Sequence, residues 1–365
     1  MIPVLYPATE RAFTNNGLGG LPDALSCIVT ERRNTPGGYF LEMEYPANGL
    51  HYSDIAPDRI IYAAPAPGKR PQPFYIQRIA PPIDGKVLIE APHVSAQLQK
   101  LVTYGTHSGT NIQGMIYNYL YQARQLGQVV DFWCTTDITR EGTTTFKRPQ
   151  PSSIMDVLLG TEGSVLDTVG GEYEWDRWHI ILHKQRGADS GLEVRYGVNM
   201  TQFDAETDAS ELVTAVFPYW KGKVNDAETF VYGDLCVSSN ASAYATVRAV
   251  PLDVSNKFDL AAGQSPTAAQ VTAAGQSYIA GANTALSTSI STSFTPAVAG
   301  NRPVNLCDAV KVVHPDLSVS ATAKVVETRF NVLTDRYESI TIGGFKKTIV
   351  DVIAGIITKD RGGTS

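Results

Sequence analysis

The residues of this sequence that could do chemistry are concentrated at positions 170–187, GGEYEWDRWHIILHKQRG. His179 and His183 are four residues apart, a spacing that on a helix lets both imidazoles reach one zinc ion. Carboxylates of the same stretch could serve as a general acid and base or as metal ligands; they are Glu172, Glu174 and Asp176. By residue type, this stretch could therefore form either a metal site or a hydrolytic site.

The local pattern favours a β-hairpin over a helix. Gly170 and Gly171 interrupt the chain, and two runs rich in aromatic and branched residues then flank a turn-prone Asp-Arg pair. On an extended strand His179 and His183 share a face but are about 13 Å apart at roughly 3.3 Å per residue, which is too far for one metal ion. We therefore predict no metal site and no cofactor, and we expect the three carboxylates on the solvated side of a hairpin whose other side is buried.

Two catalytic alternatives stay open beside this structural interpretation. A glycosidase would use two of the three carboxylates, with Trp175 and Trp178 as a platform for the sugar. A cysteine peptidase would need Cys134 to lie beside His107 or His93. The sequence lacks the zinc-protease motif His-Glu-x-x-His, the nucleophile-elbow motif Gly-x-Ser-x-Gly and the phosphate-binding loop motif. We predict that the protein is not an enzyme.

The composition is typical of a folded globular protein. It has 365 residues, of which 43% are hydrophobic and 18% charged, enough for roughly two to four domains. The net charge is −6, and the basic residues form no cluster larger than a pair such as those at 69–70 and 346–347, so tight nucleic-acid binding is not expected. No signal peptide and no long apolar run are recognisable, so we expect no secretion and no stable membrane association. The four scattered cysteines are expected to be buried free thiols.

Periodicity divides the chain into regions of a mainly β, α+β protein. Residues 1–96 read as successive strands, and in YFLEMEYP Leu41, Met43 and Tyr45 alternate with glutamates as in a strand with one buried face. Strands return in 169–204 and in 305–344. Between them lie two mixed α/β regions, 97–168 and 205–304; the Ala/Ser/Thr-rich part of the latter, 282–300, is expected to be an exposed edge or loop.

Four helices are predicted from apolar spacing and capping residues. One covers 110–124, with Ser108 or Thr110 as its cap, and a shorter one follows in PSSIMDVLLG. A third lies near 265–281, with Ser265 as its cap and a proline in its first turn. The fourth is a C-terminal helix in 345–365 whose apolar stripe must pack on its own subunit or on a partner. We predict this stripe to be the oligomer or partner interface; it comprises Ile349, Val352, Ile353, Ile356 and Ile357.

Long runs in order along the chain carry a family resemblance. They include NGLGGLPDALSCIVTERRN, GLHYSDIAPDRIIYAAP, SSIMDVLLGTEGSVLDTVGGEYEWDRWHIILHKQRGADSGLEVRYGVNMT and VNLCDAVKVVHPDLSVSATAKVVETRFNVLTDRYESITIG. With these runs the sequence resembles tail-associated proteins of Gram-positive siphophages, the prophage endopeptidase tail or phage minor structural protein family. The resemblance covers nearly the whole chain and is weakest across 205–304.

The resemblance implies a baseplate hub at the tip of a phage tail. Two tail-tube-like β-barrel domains would be formed by 1–96 and by 169–204 with 305–344, and two peripheral domains by 97–168 and 205–304. Three copies would form a ring with pseudo-sixfold symmetry around the DNA channel. The hairpin of 170–187 would then be scaffold, and an acidic chain suits a channel through which DNA passes without binding.

The resemblance also implies partners and a location. We expect a homotrimer that contacts the distal tail protein or tail tube protein, the tape-measure protein and a tip fibre or spike, with DNA only as passing cargo. The protein would be assembled in the host cytoplasm and would end in the virion tail tip. Two other functions remain open: a cell-wall-degrading tail enzyme, and the hub of a contractile, tailocin-type particle.

Overall fold

The computed structural model describes residues 2–80, 84–160, 163–198, 200–208, 213–225, 227–258, 260, 263–281, 287–294, 304–314, 319–343 and 346–347. The chain divides into two units. The first comprises Met1–Phe203 with Ser291–Gly344, and the second comprises Asp204–Ile290 with Phe345–Ser365. Strands predominate over helices among the described residues, as predicted. The finer division into four domains and a terminal helix stays a prediction.

The first ninety-two residues of the first unit are built from short antiparallel strands. Their predicted alternation is confirmed, because Leu41, Met43 and Tyr45 are fully buried while Glu42 and Glu44 are only partly so. A 3₁₀ turn, Tyr52–Asp54, lies within this region and another, Val94–Gln99, follows it. The strands are β1 (Val4–Tyr6), β2 (Gly19–Gly20), β3 (Ser26–Arg32), β4 (Tyr39–Pro46), β5 (Ile60–Ala63), β6 (Gln72–Tyr75), β7 (Arg78–Ile79) and β8 (Lys86–Pro92).

The next region combines a two-stranded sheet with helices. Its elements are β9 (Val102–Gly109), α1 (Ile112–Gln125), β10 (Trp133–Thr136), β11 (Thr144–Ser153), α2 (Ile154–Leu159) and α3 (Val165–Val169). The predicted apolar stripe of α1 is buried, but its cap is Asn111, whose side chain accepts a hydrogen bond from the Gly114 amide. The Ser108 or Thr110 cap was wrong because β9 extends to Gly109 and leaves Asn111 at the turn into the helix. The Ser153 cap of α2 is confirmed.

The predicted hairpin of 170–187 is present. Strands β12 (Glu172–Asp176) and β13 (His179–His183) pair antiparallel, and β14 (Asp189–Arg195) follows. β13 also pairs with β10 in parallel, so the hairpin lies in a three-stranded sheet of order β10-β13-β12. The chain then continues into β15 (Met200–Asp208).

The second unit contains a small sheet covered on one face by a helix. Its elements are β16 (Ala215–Val224), β17 (Ala227–Tyr232), β18 (Cys236–Val237), β19 (Ala249–Asp253) and α4 (Ala268–Gly281), with 3₁₀ turns at Ala241–Ala243 and Ser255–Lys257. β16 lies at the centre, antiparallel to β17 and β18 and parallel to β19. The helix approaches the sheet closely at Gly275, where an added Cβ would lie 2.6 Å from the Pro218 side chain.

The predicted cap of α4 was wrong by two residues. The cap is Thr267 and not Ser265. The Thr267 hydroxyl accepts a hydrogen bond from the Gln270 amide, and the Gln270 side-chain oxygen accepts one from the Thr267 amide. This reciprocal capping box satisfies two amides that the helix itself cannot pair. Its signature, Thr-x-x-Gln, directly precedes the buried Val271 in the sequence.

The remaining strands are β20 (Ser287–Phe294), β21 (Ala309–His314), β22 (Val319–Asn331), β23 (Arg336–Gly343) and β24 (Lys346–Lys347). β20 falls inside the Ala/Ser/Thr-rich run, so part of that run is a paired strand and not a loop; Thr292–Phe294 pair with β23. Within the predicted C-terminal helix, Lys346 and Lys347 form a strand. The interface stripe from Ile349 to Ile357 lies outside the described residues.

The β regions at the two ends of the first unit are joined into one sheet. β22 pairs antiparallel with β3 from Glu327–Arg32 to Asn331–Ile28, and the order β23-β22-β3-β4-β8-β7 is continuous. None of the sheets formed by the described strands closes on itself. The two separate β-barrels expected from the resemblance are therefore not seen, because edge strands of the two regions pair with each other. No described helix is long and apolar enough to cross a membrane.

Candidate functional site

The two histidines of the hairpin lie in separate side-chain clusters. His179 stacks on Trp133 at 3.3 Å between ring centroids, and its Nε2 lies 2.8 Å from the Thr135 hydroxyl. His183 Nε2 lies 2.8 Å from Glu174 Oε2. Among the described residues no group of three or more His, Cys, Asp or Glu side chains could hold a metal ion. The two imidazoles lie in separate clusters because His179 and His183 are at opposite ends of a strand and not on one face of a helix.

Glu172 departs from the predicted solvated face, because it is buried. Its carboxylate accepts hydrogen bonds from Lys324 Nζ at 2.8 and 2.7 Å and from the Arg186 amide at 2.7 Å, and Arg33 lies 3.4 Å away. Cations from β22 and from the β3–β4 loop thus compensate its charge. A buried carboxylate is stable only with such partners, so Glu172 acts as a structural link between three parts of the unit.

Arg186 makes a second, largely enclosed ion pair next to Glu172, with side-chain exposures of 14% and 13% for Arg186 and Glu31. Its guanidinium donates to Glu31 Oε1 at 2.9 Å and to the Tyr173 carbonyl at 2.9 Å. Burial opposes the charged form of Arg186, but the Glu31 and Glu174 carboxylates outweigh it and the pKa of Arg186 is raised. The hairpin is therefore fixed to β3 by charge as well as by packing.

These residues border a cavity of about 360 Å³ in the first unit. Glu174, Trp175 and Asp176 line it together with Arg186 and residues near Asp308. Its volume is within the ordinary range of ligand pockets, ~300–1,000 Å³. The structure thus brings Glu174 and Asp176 to one cavity, which is the arrangement that the glycosidase alternative requires.

The side chains around this cavity are occupied with one another. Asp176 accepts a hydrogen bond from Gln72 at 2.9 Å and lies 3.8 Å from Arg70, and Glu174 is paired with His183. The supposed sugar platform is buried, since Trp175 is 9% and Trp178 7% exposed. Trp178 instead stacks on Phe13, with the Arg11 guanidinium 4.6 Å from its ring. These partners give the carboxylates and tryptophans structural roles.

Cys134 is not joined by a hydrogen bond to either candidate histidine. Its thiol donates to the Gln113 carbonyl at 3.6 Å, and burial raises its pKa to about 11. His107 packs edge-on against Tyr119, and His93 is bonded to Ser95 and Gln72. A thiol that stays protonated at neutral pH is a poor nucleophile. All four cysteines are buried and free, as predicted.

Sequence reasoning missed an exposed aromatic surface on α1. Tyr117 and Tyr121, one helical turn apart, are 45% and 49% exposed and their rings stack at 6.2 Å. Arg124 extends over Tyr117 at 5.8 Å. The signal was available, because both tyrosines fall on the side of α1 opposite its buried stripe. Exposed aromatics accompanied by arginine are enriched where proteins bind other proteins.

The model of the family described as prophage endopeptidase tail matches residues 188–353. No curated protein gave a significant match to the sequence.

Three crystal structures of tail proteins resemble the chain over nearly its full length. Prophage tail protein gp18 from Listeria monocytogenes EGD-e is 15% identical, with a TM-score of 0.58 over 98% of this chain and 99% of that one. The 43 kDa tail protein of prophage MuSo2 from Shewanella oneidensis is 11% identical, with a TM-score of 0.55 over 95% and 98%. The tail protein from Neisseria meningitidis MC58 is 10% identical, with a TM-score of 0.56 over 94% and 95%.

At these identities the structural likeness establishes a shared fold. The family model adds the sequence relation that the fold alone does not give. The resemblance predicted from the sequence is therefore confirmed as far as the prophage tail proteins: residues 188–353 match the prophage endopeptidase tail family, and the fold is shared with three tail proteins, while a Gram-positive origin stays a prediction.

Proposed function

We propose that the protein is a structural baseplate hub at the tip of a phage or prophage tail. Three copies would form a ring that joins the tail tube or distal tail protein to a tip fibre or lysin and surrounds the DNA channel. The family match over residues 188–353 and the fold shared with three tail proteins support a role in the tail.

The observation that carries the hub proposal is the pairing of β22 with β3. It holds the two β regions of one subunit side by side in a single sheet. A trimer of such subunits would bring six β regions into one ring, which is the number that a junction with a sixfold tube requires. The Arg32–Glu327 pair at 2.6 Å joins β3 and β22 directly, and Glu172 of β12 contacts both Lys324 of β22 and Arg33 just after the end of β3.

A structural role also agrees with the state of the candidate catalytic residues. The carboxylates of β12 are paired with His183, Lys324, Gln72 and Arg70, and the Cys134 thiol is protonated and buried. We therefore favour the hub over a cell-wall endopeptidase or glycosidase. A hub of a contractile, tailocin-type particle has the same features and differs in the presence of a sheath.

The proposed partners follow from the hub position. The ring would contact the distal tail protein or tail tube protein on one side, the tip fibre or spike on the other, and the tape-measure protein in its lumen. DNA would pass through without a binding site. Assembly would take place in the host cytoplasm, and the mature location would be the virion tail tip.

The test is the solution mass of the full chain, by light scattering, alone and after mixing with the purified distal tail protein. We expect a trimer in at least one of the two samples and a ring with a central hole in negative-stain images. A chain that stays monomeric in both samples would contradict the proposal. Incubation with purified cell wall should release no soluble fragments, whereas release would favour the enzymatic alternative.

The predicted terminal stripe gives a second test of the same assembly. Ile353→Asp with Ile356→Asp should dissociate the trimer if the stripe lies between subunits. An intact trimer with a lower Tm would place the stripe within one subunit and would remove it from the proposed interface.

A further inference from the structure

One face of the sheet in the second unit is not covered by any described helix. Helix α4 packs against the side of β16 that carries Val216 and Trp220, where Val271 and Ile279 are buried. Residues that alternate with these point to the opposite side. On that side the register places Tyr219 opposite Tyr232 and Lys221 opposite Phe230.

Four aromatic rings form a continuous row on this open face. Phe217 and Tyr232 have ring centroids 6.0 Å apart, Tyr232 and Phe230 are 6.2 Å apart, and Phe230 and Tyr219 are 6.3 Å apart. The planes of Phe217 and Phe230 lie within 19° and 5° of the plane of Tyr232. Phe217, Phe230 and Tyr232 are 40%, 41% and 57% exposed. We call these four rings the aromatic row.

A polar cavity of about 260 Å³ lies at the end of the aromatic row. It is lined by Lys221, Gly222, Lys223, Glu228, Asp253 and Ser255. Lys221 connects the two features, because its Nζ is 2.7 Å from Glu228 Oε1 and 5.6 Å from the centroid of the Phe230 ring. Hydrogen bonds from Ser255 and Tyr219 lower the pKa of Asp253.

The charges of the cavity balance and offer both donors and acceptors. Two lysines face two carboxylates, so the cavity has no net preference for an anion or a cation. A group with many hydroxyls can donate to Glu228 and Asp253 and accept from the lysines. The neighbouring ring faces suit apolar C–H surfaces, since the face of an aromatic ring is electron-rich.

The size of the aromatic row argues against a stable protein partner as its occupant. An aromatic side chain can bury ~150–250 Å², and these rings are at most about half exposed, so four of them offer a few hundred Å² together. A stable protein complex buries ~800 Å² on each partner. A small ligand that stacks on the rings and ends in the cavity needs no more area than the face provides.

We propose that the aromatic row and its cavity bind a neutral glycan. Sugar rings would stack on Tyr232, Phe230 and Tyr219, and the hydroxyls of one residue would enter the cavity beside Lys221 and Glu228. The site lies wholly in the second unit and does not depend on the hub proposal.

The test is calorimetric titration of the full chain with three uncharged probes: the hexamer of N-acetylglucosamine, cellohexaose and maltohexaose. We expect at least one to bind, and we expect Tyr232→Ala and Phe230→Ala each to weaken its Kd tenfold or more. Tyr278→Ala, an exposed tyrosine on α4, is the matched control and should change the Kd less than twofold. No binding by any probe, or equal binding by Tyr232→Ala, would overturn the proposal.

Self-association through the same face must be measured in parallel. Sedimentation velocity of the wild type and of Tyr232→Ala separates the two uses of the aromatic row. A dimer that Tyr232→Ala abolishes, without glycan binding, would assign the row to a second copy of the chain and would also overturn the proposal. Circular dichroism spectra of all variants should match that of the wild type, since the substituted rings are exposed. Trimer formation is measured separately, because it tests the hub proposal and not the glycan site.

Discussion

The hairpin of the first unit and the open face of the second unit contrast in what their side chains are free to do. Residues 172–186 contain the carboxylates, imidazoles and tryptophans that attract attention in the sequence, yet Glu172 and Trp178 are buried and the Arg186 side chain is only 14% exposed, each among fixed partners. The aromatic row looks like an ordinary strand in the sequence, yet its rings are exposed. The comparison shows that residue type indicates possible chemistry, whereas exposure and pairing decide whether it is available.

The largest expected effect is the loss of the buried pair at the hairpin. Arg186→Met leaves the Glu31 carboxylate without its cation, and breaking one side of a buried pair costs about 3–5 kcal/mol in the free energy of unfolding. Urea unfolding of the full chain measures it. The exposed pair of Arg78 and Glu90 is the matched control, and Arg78→Met should cost less than ~1 kcal/mol.

A double variant separates charge from packing at this position. Arg186→Met with Glu31→Leu removes both charges and should recover most of the lost stability. If the double variant is as unstable as Arg186→Met, the guanidinium contributes through its packing and its bond to the Tyr173 carbonyl, and the electrostatic interpretation is wrong.

Truncation of one ring in each region tests the contrast directly. Trp178→Ala should reduce the free energy of unfolding by about 3–5 kcal/mol, because a buried ring leaves a cavity. Phe230→Ala should reduce it by less than ~1 kcal/mol, because the ring is exposed. Equal losses in the urea unfolding of the two variants would show that the aromatic row is needed to hold the second unit together.

An intermediate effect is expected from pH. Burial lowers the pKa of His93 to about 3, below the value near 6.5 of an unfolded histidine. Between these values the unfolded chain binds a proton that the folded chain does not, so stability falls as the pH is lowered, by up to ~1.4 kcal/mol per pH unit. The urea midpoint should therefore decrease from pH 7 to pH 5.

The assignment of that slope to His93 can be checked with a side chain that does not titrate. His93→Gln should flatten the dependence of the midpoint between pH 7 and pH 5, whatever its own stability. An unchanged slope in His93→Gln would remove His93 as the source.

The smallest effect is expected at the exposed ion pair beside the aromatic row. Lys221 and Glu228 are in contact at 2.7 Å, but both side chains are at least half exposed. Water screens such a pair, so Lys221→Met should leave the Tm unchanged within error. A clear decrease in the Tm of Lys221→Met would mean that the cavity residues hold the sheet together, and the contrast with Arg186 would weaken.

The strands of the first unit were predictable because their signal is local. Alternation in YFLEMEYP, turn residues between runs and the two-run pattern of 170–187 each depend on a few neighbouring residues, and the structure confirms them. The apolar stripe of α1 was predicted for the same reason, and all of its members are buried.

Features that depend on distant partners could not be read in the same way. The burial of Glu172 requires Lys324, 152 positions away, and nothing near Glu172 in the sequence indicates it. Nothing in the sequence near β3 indicates its pairing with β22 either, and the sheets of the described strands do not close into the expected barrels. The aromatic row could have been found, because Phe217 and Tyr219 alternate with Val216, Pro218 and Trp220, so the strand is apolar on both faces. The sequence predicts one helix in 205–304, and one helix covers only one face of a sheet.

The pairing of β3 with β22 also has a consequence for the time course of folding. Arg32 and Glu327, which meet at this junction, are 295 residues apart. At ~5–20 residues per second, the ribosome needs roughly 15–60 s after releasing β3 to deliver its partner strand. Until then the outer edge of β3 is open to incorrect pairing. A chain that stops early never covers this edge, so only complete subunits present the finished sheet.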